Sequence, residues 1–436
     1  MKSRQDHSKL KHFASLEVTK GGVKVGDLYR EEGRGIFFTY APQWLATGFN
    51  LSPFTMKFDD KPQLASAPDL FEGLHGPFAD SLPDGWGMLL MDRFLNATFG
   101  GGTAYTVTAL DRLAYMGDRA MGAFEYHPKA ERAELRGAVD LVELFEASVE
   151  VLSGETPQVL TKLRLAGGSP GGARPKAIVA MSPDAKHATS AFGPLPAGYD
   201  HWIVKFRAPS EPVETGAMEY AYYLMAKDAG VEMADSTLLN MTMPDGSRER
   251  FFATKRFDRQ GDTKLHMITV CALMYAPYKA PSMDYSGLLK LTNMLTRDAA
   301  QVEKMARLMV FNGLFHNYDD HTKNFAFLAR APARPGDDAR WTLAPAYDLT
   351  FSDARGEHST AYGGRGRATR QAIQALCADY KYLKPQDYIE QTLAAFAKWD
   401  DAFEIAKIPL KAGAGFKRVL EQDHAAFNLI TPARRS

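Results

Sequence analysis

The run HNYDDHTKNFAFL, residues 316–328, gathers two carboxylates, a histidine, a lysine and an asparagine into one short stretch. Within it Asp319 and Asn324 lie five residues apart. On a single loop, that interval lets a carboxylate accept a hydrogen bond from an attacking hydroxyl while a side-chain carbonyl oxygen reaches a magnesium ion bound to phosphates. Downstream, RWTLAPAYDLTFS supplies Asp348, which a returning strand would carry back to the end of the same loop. The chemistry implied is phosphoryl transfer, with Asp319 as base and Asn324 and Asp348 as metal ligands. Asp319, Asp320 and His321 could instead merely cap a turn, since Asx residues are favoured there. The asparagine five residues on and the aspartate on the return strand favour the chemical reading.

The front half offers complementary parts. LRLAGGSPGGARPKAIVA (163–180) sets four glycines ahead of a strand. The exposed N–H groups of such a loop cradle phosphate oxygens, which makes Gly168, Ser169, Gly171, Gly172 and Ala173 candidate nucleotide contacts. The stretch matches neither the Walker pattern nor GxGxxG, so alone it reads equally well as a structural turn. Lys205, in HWIVKF, is a lysine inside an apolar strand pattern, where a buried charge needs an anionic partner such as a phosphate. An edge-strand lysine facing solvent is the alternative. Glu219, on the next helix, is a candidate ion-pair mate for it. His321 and Lys323 are candidate catalytic contacts to the transferring phosphate. His316 reads as a helix cap or core group, and Trp44, Trp86 and Trp202 as core or subdomain contacts.

The elements that must hold these groups follow from periodicity. SLEVTKGGVKVGDLY and RGIFFTY predict antiparallel strands at 15–40. Helical spacing of three and four appears at 82–99 and 136–155, followed by strands AIVAM and HWIVKF. A helix is predicted over 215–229, then a strand pair around Pro-Asp-Gly. From about 265 helical periodicity dominates, interrupted by one strand pair at 324–350. A β-rich front with a glycine loop and a helical back with the polar loop is the bilobal layout of protein kinases. The fold class expected is α+β, bilobal and protein-kinase-like. Its expected parts are a β-rich subdomain (1–135), a nucleotide-binding N-lobe (136–264) and a helical C-lobe (265–436).

Composition narrows the partners. Lys+Arg and Asp+Glu both number 52, so no global field draws the chain to nucleic acid or an anionic membrane. GGRGRATR (363–370) is the one local basic loop. Two distant cysteines suggest neither a zinc site nor a disulfide framework, which fits a reducing cytoplasm. No apolar run approaches the length of a membrane span, and no signal-peptide core follows the amino terminus.

Taken together, LPDGWG (82–87), GDRAMGAFEY (117–126), GGSPGGARPK (167–176), KFRAPS (205–210), KRFDR (255–259), NYDDHTKNF (317–325) and PAYDL (345–349) resemble the HipA family of toxin kinases. The resemblance runs over nearly the whole chain. It implies an ATP- and Mg2+-dependent serine/threonine kinase with Asp319 as base, Asn324 and Asp348 on magnesium and Lys205 on the nucleotide phosphates. Lys255, Arg256 and Phe257 would lie at the adenine hinge, and Ser169 would be an autophosphorylation site. It also implies a small DNA-binding HipB-like antitoxin as partner, DNA contact only through that antitoxin, and a protein substrate of the translation machinery such as an aminoacyl-tRNA synthetase. Where many members carry an acidic Gln-Glu-Asp segment after KRFDR, this chain reads KLHMITVCALMYAP (264–277), a departure that bears on substrate and partner choice. The competing readings are a small-molecule phosphotransferase on the same core, and a non-catalytic corepressor that only binds an antitoxin.

Overall fold

The computed structural model describes residues 10–130, 137–154, 160–167, 171–334, 337–352 and 356–429. Its first sheet is antiparallel and five-stranded, with Gln63–Leu64, Gly35–Tyr40, Val23–Glu31, Ser15–Lys20 and Glu125–His127 in spatial order. Gly21 and Gly22, both at positive φ (55° and 79°), make the tight turn between Ser15–Lys20 and Val23–Glu31. Two consecutive residues of this kind match the right-handed twist of a hairpin, and glycine adopts the conformation without a Cβ clash. Leu16, Val18, Val25 and Leu28 fill the inner face. Helix Trp86–Phe99 then leaves this sheet and packs on helix Leu160–Gly167.

A second antiparallel sheet runs Ala188–Ser190, Lys176–Met181, Asp200–Lys205, Arg248–Lys255 and Ser236–Thr242 in spatial order. Its last hairpin closes on Pro244-Asp245-Gly246, where the Asp245 carboxylate accepts the Ser247 N–H at 2.8 Å and Gly246 sits at φ 83°. Between the strands, helix Thr215–Asp228 buries Ala217, Ala221, Tyr222 and Met225. Gly216 lets its first turn come close to the sheet: a Cβ there would stand 2.3 Å from the Arg250 carbonyl oxygen.

The back half is mainly helical. Asp284 and Asp298 cap helices Tyr285–Thr296 and Ala299–Leu314 through the Ser286 and Ala300 N–H groups. Helices Arg370–Cys377, Pro385–Ala397, Trp399–Ile405 and Leu410–Leu429 follow, and the short helix Val270–Met274 precedes them. The sequence predicts one strand pair here; among the described residues that pair, Ala326–Arg330 with Arg340–Leu343, gains a third strand, His266–Thr269, with Ile268 opposite Phe327, and Met283–Asp284 pairs separately with Thr360–Ala361. HMIT is too short for periodicity to separate strand from buried helix, and only pairing with a strand about sixty residues away decides it. The largest apolar cluster joins the first sheet, helix Thr215–Asp228 and the back helices, while Trp86 and Leu90 enter a second one beneath the second sheet. No described helix is long and apolar enough to cross a membrane.

Candidate active site

A cleft of about 590 Å³ opens between the second sheet and the helical half. Sheet strand Asp200–Lys205 ends on Lys205, whose ammonium is wedged between the carboxylates of Glu219 and Asp348. Glu219 is 4% exposed and points from helix Thr215–Asp228, so the sheet, that helix and the returning chain are tied at one cation. Burial alone would lower the Lys205 ammonium, but Asp348 and Glu219 outweigh it and hold it above its ordinary range. Conversely, burial would raise Asp348, and Lys205 and Lys176 override it, keeping the carboxyl well below the usual carboxylate range. Asp348 sits in left-handed backbone at φ 54°, a conformation few residues other than Gly, Asn and Asp tolerate. The alternative of an edge-strand Lys205 facing solvent does not hold.

Opposite lies the polar loop. Helix Ala299–Leu314 delivers it, and a short 3₁₀ turn at Thr322–Asn324 passes it into strand Ala326–Arg330. The Asn324 amide donates to the Asp319 carbonyl at 2.7 Å, which leaves the Asn324 side-chain oxygen available to a cation. With its side chain 56% exposed, Asp319 faces the open cleft. Partial desolvation by the cleft walls raises its carboxyl, the negative charges of Asp348 and Asp320 add to this, and His321 and Arg174 oppose it. His321 Nε2 is 3.8 Å from Asp319 Oδ1, and its buried Nδ1 has no hydrogen-bond partner among the described residues.

Beside Asp319, Asp320 turns inward and is 1% exposed. It accepts hydrogen bonds from the Tyr285 hydroxyl (2.8 Å), from His358 Nδ1 (2.9 Å) and from the Thr360 N–H (3.1 Å). The two adjacent aspartates therefore divide the labour: one anchors the loop and the other is presented.

Gly171, Gly172 and Ala173 line the glycine-loop side of the cleft, while Gly168 and Ser169 lie outside the described residues. Lys176, 4% exposed, donates to the Gly171 carbonyl and sits across the sheet from Lys205. Burial pushes its ammonium down to about 8. At the far end, Phe257 packs against Tyr347, with ring centroids 5.5 Å apart. The Lys255 ammonium is held by Asp200 (2.9 Å) and Asp235 (3.7 Å), and the Arg256 guanidinium is buried on Asp258 at 2.7 Å. The N–H groups of Lys255 and Arg256 are taken by the Asp235 and His201 carbonyls. Lys255 and Arg256 thus border the cleft with their charges already committed to carboxylates.

Sequence reasoning passed over Asp84, Tyr278 and Tyr347. Lys323 pairs with Asp84 at 2.7 Å and lies over the Tyr278 ring at 4.2 Å, and Tyr347 donates to the Lys323 carbonyl at 2.6 Å. LPDGWG marked the segment without assigning it work, because its partner is more than two hundred residues away.

A five-stranded sheet whose lysine pairs with a glutamate on the adjoining helix, set over a helical half with an Asp/Asn loop and a returning aspartate, is a kinase-like architecture. The HipA N-terminal domain matches residues 16–127 and the HipA-like C-terminal domain residues 168–402, so the chain belongs to the HipA family. Its fold is also that of HipA from Shewanella oneidensis MR-1, solved as a toxin–antitoxin system with HipB and operator DNA. That alignment has a TM-score of 0.66 and 18% identity, and covers 94% of this chain and 95% of that one. The proinflammatory kinase CtkA of Helicobacter pylori aligns over 48% of this chain and 90% of its own, at 13% identity and a TM-score of 0.29. Comparison with curated proteins returned no match.

Proposed function

We propose that this chain is an ATP- and magnesium-dependent serine/threonine protein kinase acting as the toxin of a HipA/HipB-type pair. The observation that carries the reading is the Lys205 ammonium bridging Glu219 and Asp348 across a cleft whose opposite wall presents Asp319 and Asn324. A small-molecule phosphotransferase would need the same groups; membership of the HipA family favours a protein acceptor.

The donor set suits magnesium. Among the described residues no group of three His, Cys, Asp or Glu side chains could hold a metal by itself. Magnesium typically takes one or two carboxylates and completes its shell with other oxygens, phosphates and water, and here Asp348 would supply a carboxylate and Asn324 an amide oxygen. When bound, magnesium and ATP supply the phosphoryl group and the positive charge that offsets its transfer. The protein's own part is positional. Lys205, kept charged by its carboxylates, meets the nucleotide phosphates; the glycine loop offers its N–H groups; Asp319 accepts the proton of the acceptor hydroxyl. Phe257 and Tyr347 give the base an apolar berth.

On this reading Ser169 is an autophosphorylation site, the acceptor is a protein of translation, and a HipB-like antitoxin is the DNA-binding partner. Asp319→Asn should lower phosphoryl transfer by roughly 10² to 10⁴ while leaving the melting temperature unchanged, since the carboxylate is exposed and makes no buried bond. Radiolabel transfer from ATP, with mass spectrometry of the Ser169 peptide, tests both claims. Wild-type turnover by Asp319→Asn would remove the assigned base, and an active chain without phosphate on Ser169 would remove the modification.

A further inference from the structure

Residues 80–87 belong to the amino-terminal part of the chain yet touch both walls of the cleft. Asp80 accepts the Thr269 N–H at 2.6 Å and the Thr269 hydroxyl at 2.9 Å. The Trp86 backbone N–H donates to the Gly172 carbonyl at 3.1 Å, and its indole N–H to the Lys176 carbonyl at 3.1 Å. Gly85 is at φ 45°, and a Cβ there would stand 2.4 Å from the Gly172 oxygen, so the segment lies flat against the glycine loop. Asp80 and Trp86 dock it on either side. Asp84, between them, adds no apolar area and contacts the polar loop instead.

The Asp84 carboxylate is itself well held. One oxygen accepts from the Gly85 N–H at 2.9 Å and from the Tyr278 hydroxyl at 3.4 Å, and the other faces Lys323 Nζ at 2.7 Å. The Tyr278 ring backs the same ammonium at 4.2 Å, while the Tyr347 hydroxyl fixes the Lys323 carbonyl. The Lys323 side chain remains 24% exposed toward the cleft, so it keeps room for an anion. A long, flexible cation is thereby reduced to one orientation.

We propose that Asp84 is a positioning residue for phosphoryl transfer, its carboxylate holding the Lys323 ammonium at the phosphate end of the cleft. The inference rests on the kinase reading above. It makes the active site depend on the amino-terminal part of the chain, which contributes to neither wall of the cleft by its own sheet. Displacing a positioned group by about 1 Å can cost roughly a hundredfold in rate without weakening ground-state binding.

The test is a cycle of Asp84→Asn, Asp84→Glu, Lys323→Met and the double variant Asp84→Asn/Lys323→Met in the full-length chain. Turnover and KM for ATP are measured, together with calorimetric binding of a non-hydrolysable ATP analogue with magnesium. Asp84→Asn should lower kcat about tenfold or more, with analogue affinity held within about threefold and partial recovery in Asp84→Glu. The double variant should be no slower than Lys323→Met alone, because the two residues act as one unit. Wild-type kcat in Asp84→Asn, or a double variant slowed by the product of the single effects, would overturn the proposal. If Asp84→Asn fails to fold, wild-type kcat in Lys323→Met overturns it equally. An inactive wild-type chain sinks the kinase reading as well, whereas an active one indifferent to Asp84→Asn sinks this inference alone.

Discussion

Asp258 and Asp348 are carboxylates held by cations, with different consequences. Asp258 is fully buried and bonded by Arg256 at 2.7 Å, by Arg259 at 2.9 Å and by the Gly122 N–H at 2.7 Å. Its carboxylate partners are committed, and it tethers the KRFDR segment to residues 120–122. Removing its charge would leave two buried guanidinium groups facing each other. Asp258→Asn should therefore cost about 3–5 kcal/mol, read from urea unfolding; a loss under about 1 kcal/mol would refute the tether. Burial raises this carboxyl, but Arg256 and Arg259 more than reverse the effect and leave it well below its ordinary range. A depressed folded value stabilises the fold above the unfolded value of about 3.9, and the contribution disappears as pH falls further through the folded value. Asp348, half-buried and paired with a lysine that also lines the cleft, is by contrast open to the cleft.

Among the elements, helix Thr215–Asp228 matters most to the site because it carries Glu219, and its placement is set by backbone contact. The Gly216 Cα approaches the Arg250 carbonyl too closely for any Cβ, and strand Arg248–Lys255 is bracketed by its neighbours and cannot give way. Gly216→Ala should push the first turn outward and pull Glu219 from Lys205. Affinity for the ATP analogue is expected to fall about tenfold or more, with a modest drop in melting temperature, because about 1 Å of misplacement is costly in a preorganised site. Unchanged affinity would show that the helix adapts. The polar loop is held differently, through the hydrogen bonds that Tyr285, His358 and Thr360 donate to Asp320.

At the scale of the molecule, the balanced charge offers no general attraction to a polyanion. Arg365 and Arg367 are exposed in the basic loop, enough for a few phosphate contacts. The isolated chain should shift operator DNA only weakly, with binding lost between about 50 and 200 mM salt, and an antitoxin should restore tight binding. Gel shifts at both salts decide it; tight, sequence-specific binding by the chain alone would favour the corepressor reading.

How much of this was legible in the sequence follows from range. The hairpin of the second sheet, helix Thr215–Asp228 and the Asp319/Asn324 interval are set by turn residues, apolar period and neighbours a few positions apart, so local pattern determined them. Asp348 was foreseeable because a strand pair must return the chain. The strand His266–Thr269, the burial of Arg256, the inward turn of Asp320 and the Asp84–Lys323 pair were not foreseeable. Each depends on a partner distant in sequence or on which way a side chain leaves the backbone. Composition and period are blind to both, since one residue type serves equally as anchor, tether or reactive group. Only the packing of the amino-terminal segment across the cleft decided which aspartate and which lysine meet.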